Sequence, residues 1–281
     1  MKPKVGQLEQ VLEATFGRAF LAHLLGLQPF EILVGTQNVA EISRRARNFK
    51  SDSLGTPIFE VFAKFIRDYP FGLPHDWIRL SEELRQLKQD LANVLSEITQ
   101  ELLQLDFVAG FDHAKQFVVA ADRFSQSNGA KFETQWKSNA DAWWTHPNTL
   151  ISFQARSQNL SDFAIDDSVI QPTAMAKFPL VNQPRVYEIR DANDWLWLVE
   201  RYPTESKILH LDNWHFSQDM EPQSVWIPDW HRVALHFEAV YLSPAAYLGV
   251  SYQFLKLPDG RVTFLSGWSP GATFWLPQGA N

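Results

Sequence analysis

The chain has 281 residues, 45% of them hydrophobic and 20% charged, with a net charge of −7 and no cysteine. Such a composition builds a globular protein with a sizeable core and excludes global disorder. The acidic balance argues against a nucleic-acid coat, and the lack of cysteine excludes disulfides, thiolate nucleophiles and cysteine-based zinc sites.

Charge is uneven along the chain. Residues 1–50 carry seven Lys/Arg against four Asp/Glu, residues 51–183 eleven against seventeen, and residues 184–281 seven against eleven. Any contact with nucleic acid would fall to the early arginines, and no nucleic-acid partner is expected. The opening stretch is amphipathic rather than continuously apolar. No signal peptide and no membrane span is expected, and a cytoplasmic address follows.

Residues 7–27 place Leu8, Val11, Leu12, Phe16, Phe20 and Leu24 at steps of three and four, the spacing of one helix face. A shorter helical pattern runs through Val39, Ile42 and Ala46, with Arg44, Arg45 and Arg47 as its solvated face. Thr56 and Pro57 suit the start of a third helix over 56–66. The longest pattern spans 77–105. Its leucine stripe, with Leu84, Leu91 and Leu95, is read as a bundle helix rather than a dimer seam. Another helix is expected over 107–124. Residues 128–183 read as irregular, with Asp162, Asp166 and Asp167 in an acidic loop.

At Pro184 the character changes. Residues 185–189 alternate like a strand, and Asp191 to Asp194 offer an N-cap for a helix, Asp194–Arg201, that stops at Tyr202-Pro203. A short helix spans 228–236, and a strand covers 239–242, stopped by Pro244. Residues 252–266 form a hairpin through Pro258-Asp-Gly260, and a last strand begins at Thr273. The expected fold class is α+β: an α-helical domain over 1–127, an irregular crossover over 128–183, and a small Trp-rich mixed α/β domain over 184–281.

Chemistry is harder to read. His210-x-Asp212-x-x-His215 lacks a ligand spacing that converges, so no metal is expected. No phosphate loop and no nucleophile elbow is present. If the C-terminal domain has a cleft, its walls are expected to be Trp230, Tyr241, Ser243 and Trp268, with His215 and Asp229 at the rim. Proline and glycine turns put these residues at element ends, where sites are built. Trp195 and Trp197, at a helix start, are weaker pocket candidates. A cleft whose Ser243 is buried and bonded to backbone would not be a site.

The runs Arg185-Val-Tyr-Glu-Ile189, Trp226-Ile-Pro-Asp-Trp230, Ala239-Val-Tyr-Leu-Ser243 and Gly267-Trp-Ser-Pro-Gly271 resemble an uncharacterised bacterial family of Trp-rich domains. The resemblance covers the C-terminal third and implies no activity. More distantly, the strand order resembles ADP-ribosyltransferase-like folds. That likeness implies NAD as cofactor, Arg185 or Arg190 on the dinucleotide, and Tyr241 and Ser243 under the nicotinamide. The family's glutamate on a late strand has no counterpart over 261–276, and Glu238 is the nearest acid. Two functions follow as expectations. The first is a non-catalytic protein-binding protein of immunity or regulator type, recognising a protein partner through its Trp-rich domain. The alternative is an NAD-consuming enzyme with Ser243, Tyr241 and Glu238 as catalytic groups and Arg185, Trp230, Trp268, His215 and Asp229 holding the small-molecule cofactor.

Overall fold

A computed structural model describes residues 10–27, 37–55, 57–68, 82, 84, 85, 87, 91–104, 110–121, 145–147, 149–154, 172–177, 183–206 and 224–277. The early amphipathic patterns form helices. After a helical turn at 10–13 come α1 (Thr15–Leu24), α2 (Gln37–Asn48), α3 (Ile58–Asp68) and α4 (Ala92–Gln104). Phe16, Phe20, Phe62 and Phe65 all face inward and meet edge-on or tilted, with Phe16–Phe65 centroids 5.4 Å apart. Of the leucine stripe, Leu84 and Leu91 are buried and Leu95 is partly so, packed on the core.

The expected arginine face is tied down. Arg44 and Arg45 donate through Nε to Glu41 at 2.7 and 2.8 Å, and those bonds hold the Glu41 carboxyl at about 2. Arg45 Nη1 also donates to the Gly26 carbonyl at 2.8 Å, closing the C-terminal end of α1.

Ten strands follow: β1 (Gln116–Ala121), β2 (Leu150–Gln154), β3 (Pro172–Lys177), β4 (Val186–Ile189), β5 (Pro203–Ser206), β6 (Val225–Pro228), β7 (Ala239–Leu242), β8 (Phe254–Lys256), β9 (Val262–Phe264) and β10 (Ala272–Trp275). Between them lie α5 (Ala192–Arg201), α6 (Trp230–Ala234) and α7 (Pro244–Val250). One sheet has the order β3-β1-β2-β10-β7-β4, and a second the order β5-β6-β9-β8. In the first, β4 and β7 are parallel while the other pairs are antiparallel. The class is α+β.

Three expectations are corrected here. The helix expected over 107–124 contains strand β1. Phe117-Val-Val-Ala-Ala121 is a short apolar run that fits either period, and β-branched Val118 and Val119 favour the pleat once β2 and β3 supply partners. The irregular stretch 128–183 supplies β2 and β3, whose partners lie far off in sequence, as in Ile151 opposite Phe274. The boundary expected at 184 therefore falls between strands of one sheet. The segment after Ser243 does not merely end a strand. Ser243 and Pro244 open helix α7, with Pro at its first turn.

The larger hydrophobic core runs from Val11 to Leu276 and joins the early helices to the sheets, and a smaller cluster of Val225, Ile227 and Phe264 lies on the second sheet. Helix α5 is its centre. It packs on β4 of the first sheet and on β5 and β6 of the second. Asp191 caps it, accepting from the Asn193 and Asp194 amides. Trp195, Leu198, Val199 and Tyr202 are buried along one side, at the i, i+3, i+4, i+7 spacing. Helix α7 then packs on α1, where Phe16 meets the Tyr247 ring at 5.4 Å. The expected hairpin forms, with Gly260 at φ 87° in its turn, where a side chain would be strained.

Candidate functional site

The residues expected to line a cleft are mostly spent on structure. Ser243 is 1% exposed, and its Oγ accepts from the Ala246 amide at 3.1 Å as the cap of α7. Asp229 plays the same part for α6, accepting from the amides of His231 and Arg232. Tyr241 is buried in β7, its ring 6.2 Å from Phe111. Glu238 accepts from the Arg185 amide at 2.6 Å through its carboxylate. The Arg185 side chain is exposed at the opening of β4, and Ser243 lies past the far end of β7. Four residues of parallel strand, roughly 13 Å, separate those ends. Arg190 stands at the nearer end, but Asp194 grips it at 2.9 and 3.1 Å. His215, with His210 and Asp212, lies outside the described residues. Among those described, no His/Asp/Glu group is placed to hold a metal. Since Ser243 is a helix cap, Ser243→Ala should cost about 0.5–2 kcal/mol in thermal or denaturant unfolding. It should leave any ligand binding unchanged.

Trp230 and Trp268 belong to a buried cage. Trp268 is fully buried, with Trp230, Trp195 and Phe274 around it at 5.8, 6.0 and 4.6 Å. Each indole N–H has an acceptor. Trp268 donates to Thr145 Oγ1 at 3.0 Å, Trp230 to the Thr145 carbonyl at 3.1 Å, and Trp195 to Thr263 Oγ1 at 3.0 Å. Thr145 thus pins its own segment across the cage, and Thr145 and Ser266 also exchange backbone and hydroxyl bonds.

Next to it, His146 stacks on Phe274 at 4.8 Å and meets Trp268 edge-on. Burial among these rings pushes its imidazole down to about 4, against a hydrogen bond to the Pro147 carbonyl that pulls the other way. The folded state therefore prefers neutral His146. Its contribution is complete above the unfolded value near 6.5 and is lost as pH falls from 6.5 through 4. The loss should reach about 2–3 kcal/mol. In melting curves taken across that range, His146→Gln should show a shallower acid-side fall than the wild type. Parallel curves would contradict this assignment.

On the opposite polar layer of the first sheet, Gln116, Ser152 and Thr273 are buried but satisfied. Gln116 Oε1 accepts from Ser152 Oγ at 2.8 Å and Thr273 Oγ1 at 3.0 Å. Trp275 Nε1 donates to Ser152 Oγ at 2.8 Å. Gln154 accepts from the Asp112 amide and donates to the Gly110 carbonyl, holding the 110–116 segment on the sheet. A Cβ at Gly110 would come within 2.4 Å of the Glu188 carboxylate, so the segment approaches as closely as glycine permits. This layer is internal scaffolding.

What remains exposed lies elsewhere. Trp197 is 46% exposed on the outer side of α5, and Leu235 is 74% exposed just after α6. Trp197 lies flat on Tyr187, with centroids 5.3 Å apart and planes 12° apart. Tyr187 in turn meets Phe237 at 5.1 Å, and its hydroxyl donates to the Asp194 carbonyl at 2.7 Å. Burial, and then the nearby Asp194 carboxylate, push that phenol above its usual value, so it remains a neutral donor. Trp197 also meets Tyr202 edge-on at 6.3 Å, and Tyr202 lies beside His236. Arg201 and Arg232 both stand over the Tyr202 ring, at 5.8 and 5.9 Å from its centroid. The rings form one continuous aromatic band, held from behind and flanked by two guanidinium groups.

The chain matches no protein-family model, no curated protein and no solved structure. The site must therefore be argued from its own chemistry. The band was missed because Trp197 was grouped with Trp195 as a helix-start residue. Two steps along a helix turn a side chain by about 200°, so Trp195 in the core puts Trp197 outside. The alternation of Trp195, Leu198, Val199 and Tyr202 carried that signal.

Proposed function

We propose that this is a binding protein that recognises a protein partner through the aromatic band around Trp197. The observation that carries the reading is Trp197 itself. Nearly half of this large ring is open to solvent, yet Tyr187 stacks behind it and fixes its orientation. Large rigid aromatics beside arginine are the groups that carry most of the binding energy at protein interfaces. A preorganised ring also loses little side-chain freedom on association. The residues offered for catalysis supply no competing arrangement: Ser243 caps a helix and Arg190 is gripped by Asp194.

The experiment compares the intact protein with Trp197→Ala as bait, then titrates each captured protein, purified, against both. Because Trp197 is nearly half exposed but stacks on Tyr187, the variant should lose about 0.5–1.5 kcal/mol of stability and stay folded, and should bind the partner roughly tenfold or more weakly. Equal binding by both would refute the reading. Nicotinamide release from NAD by the purified wild type would favour the NAD-consuming alternative instead.

A further inference from the structure

The two arginines specify what such a partner should carry. Arg201 at the end of α5 and Arg232 on α6 come from separate elements, yet both guanidinium groups stand over one ring, Tyr202. Neither forms an ion pair among the described residues. Elsewhere several arginines are matched to nearby carboxylates: Arg44 and Arg45 to Glu41, Arg190 to Asp194, and Arg261 to Asp259. Two cations held against one ring and matched to no carboxylate gain from an anion beside them. This occurs in a chain whose net charge is −7. Beside them lies Trp197, nearly half exposed and edge-on to the same Tyr202 ring. A guanidinium fork pairs well with a carboxylate, and Trp197 supplies a flat face for an apolar side chain.

Resting on the protein-binding reading above, we infer that the band docks an acidic protein segment, with carboxylates paired to Arg201 and Arg232 and an apolar side chain on Trp197. A second copy of this acidic chain would bring its own arginine pair to the same place at a two-fold contact, so self-association fits the charge less well.

The test is selection of short random peptides displayed on phage against the intact protein, followed by binding of the enriched peptides to three purified forms. These are the wild type, Trp197→Ala, and the double variant Arg201→Glu/Arg232→Glu. The enriched peptides should combine Asp or Glu with an aromatic or leucine side chain. Their binding should weaken with added salt and fall roughly tenfold or more in both variants. The variants should stay cooperatively folded at the assay temperature, with at most a modest fall in melting temperature from the lost ring contacts. If Trp197→Ala loses the peptides while the double variant keeps them, the band binds protein but not through an acidic group, and only this inference falls. If both variants bind as well as the wild type, or no peptide is enriched, this inference falls. Enrichment of basic rather than acidic peptides on the wild type would overturn the charge assignment outright.

Discussion

Trp268→Ala should lower the free energy of unfolding by about 3–5 kcal/mol, the range for removing a large aromatic from a core. The side chain is fully buried and touches Trp230, Trp195, Phe274 and His146, so its loss leaves a hole walled by rigid rings that cannot close over it. It also strips Thr145 Oγ1 of the indole donor. Denaturant unfolding should show a lower midpoint with an unchanged slope. A loss below about 1 kcal/mol would return Trp268 to the walls of an open cleft.

Thr145→Val should cost about 2–4 kcal/mol, although it barely changes volume. The hydroxyl accepts from Trp268 Nε1 and from the Ser266 amide, both deep inside the protein. Valine leaves both donors unpaired, and each buried orphan costs about 1–3 kcal/mol. Coupling distinguishes this from generic damage. In Trp268→Phe one of the two donors is already gone, so adding Thr145→Val should cost less than it does in the wild type. Strict additivity of the two changes would contradict the shared hydrogen bond.

The contrast between the two halves of the sequence has a physical reading. Strand β4, helix α5, strand β7 and the β8–β9 hairpin are legible because each carries a local signal. Those signals are alternation in Val186–Ile189, an Asp191 cap, an apolar run ended at Ser243-Pro244, and a Pro-Asp-Gly turn. Strands β1, β2 and β3 carry little of their own. What makes them strands is pairing with each other and, through β2, with β10, which sequence spacing does not reveal.

The site was misread for a different reason. Ser243 and Asp229 stood out as short polar residues at element ends, and helix caps need those same residues in those same places. Trp230 and Trp268 stood out as aromatics beside turn formers, and the core uses them as buried donors to Thr145. The exposed members, Trp197, Arg201 and Arg232, have ordinary neighbours in sequence. The spacing of Trp195, Leu198, Val199 and Tyr202 marks the inner side of α5 and so the outward side of Trp197, but nothing in the sequence brings Arg232 to it.

The central claim is that recognition belongs to the outer side of α5 and not to the Ser243 end of β7. Calorimetric titration of the captured, purified partner into Trp197→Ala and Ser243→Ala, each compared with the wild type, tests it most directly. Trp197→Ala should bind roughly tenfold or more weakly while remaining folded. Ser243→Ala should melt lower and bind as tightly as the wild type. Full-strength binding by Trp197→Ala, with binding lost in a still-folded Ser243→Ala, would contradict it.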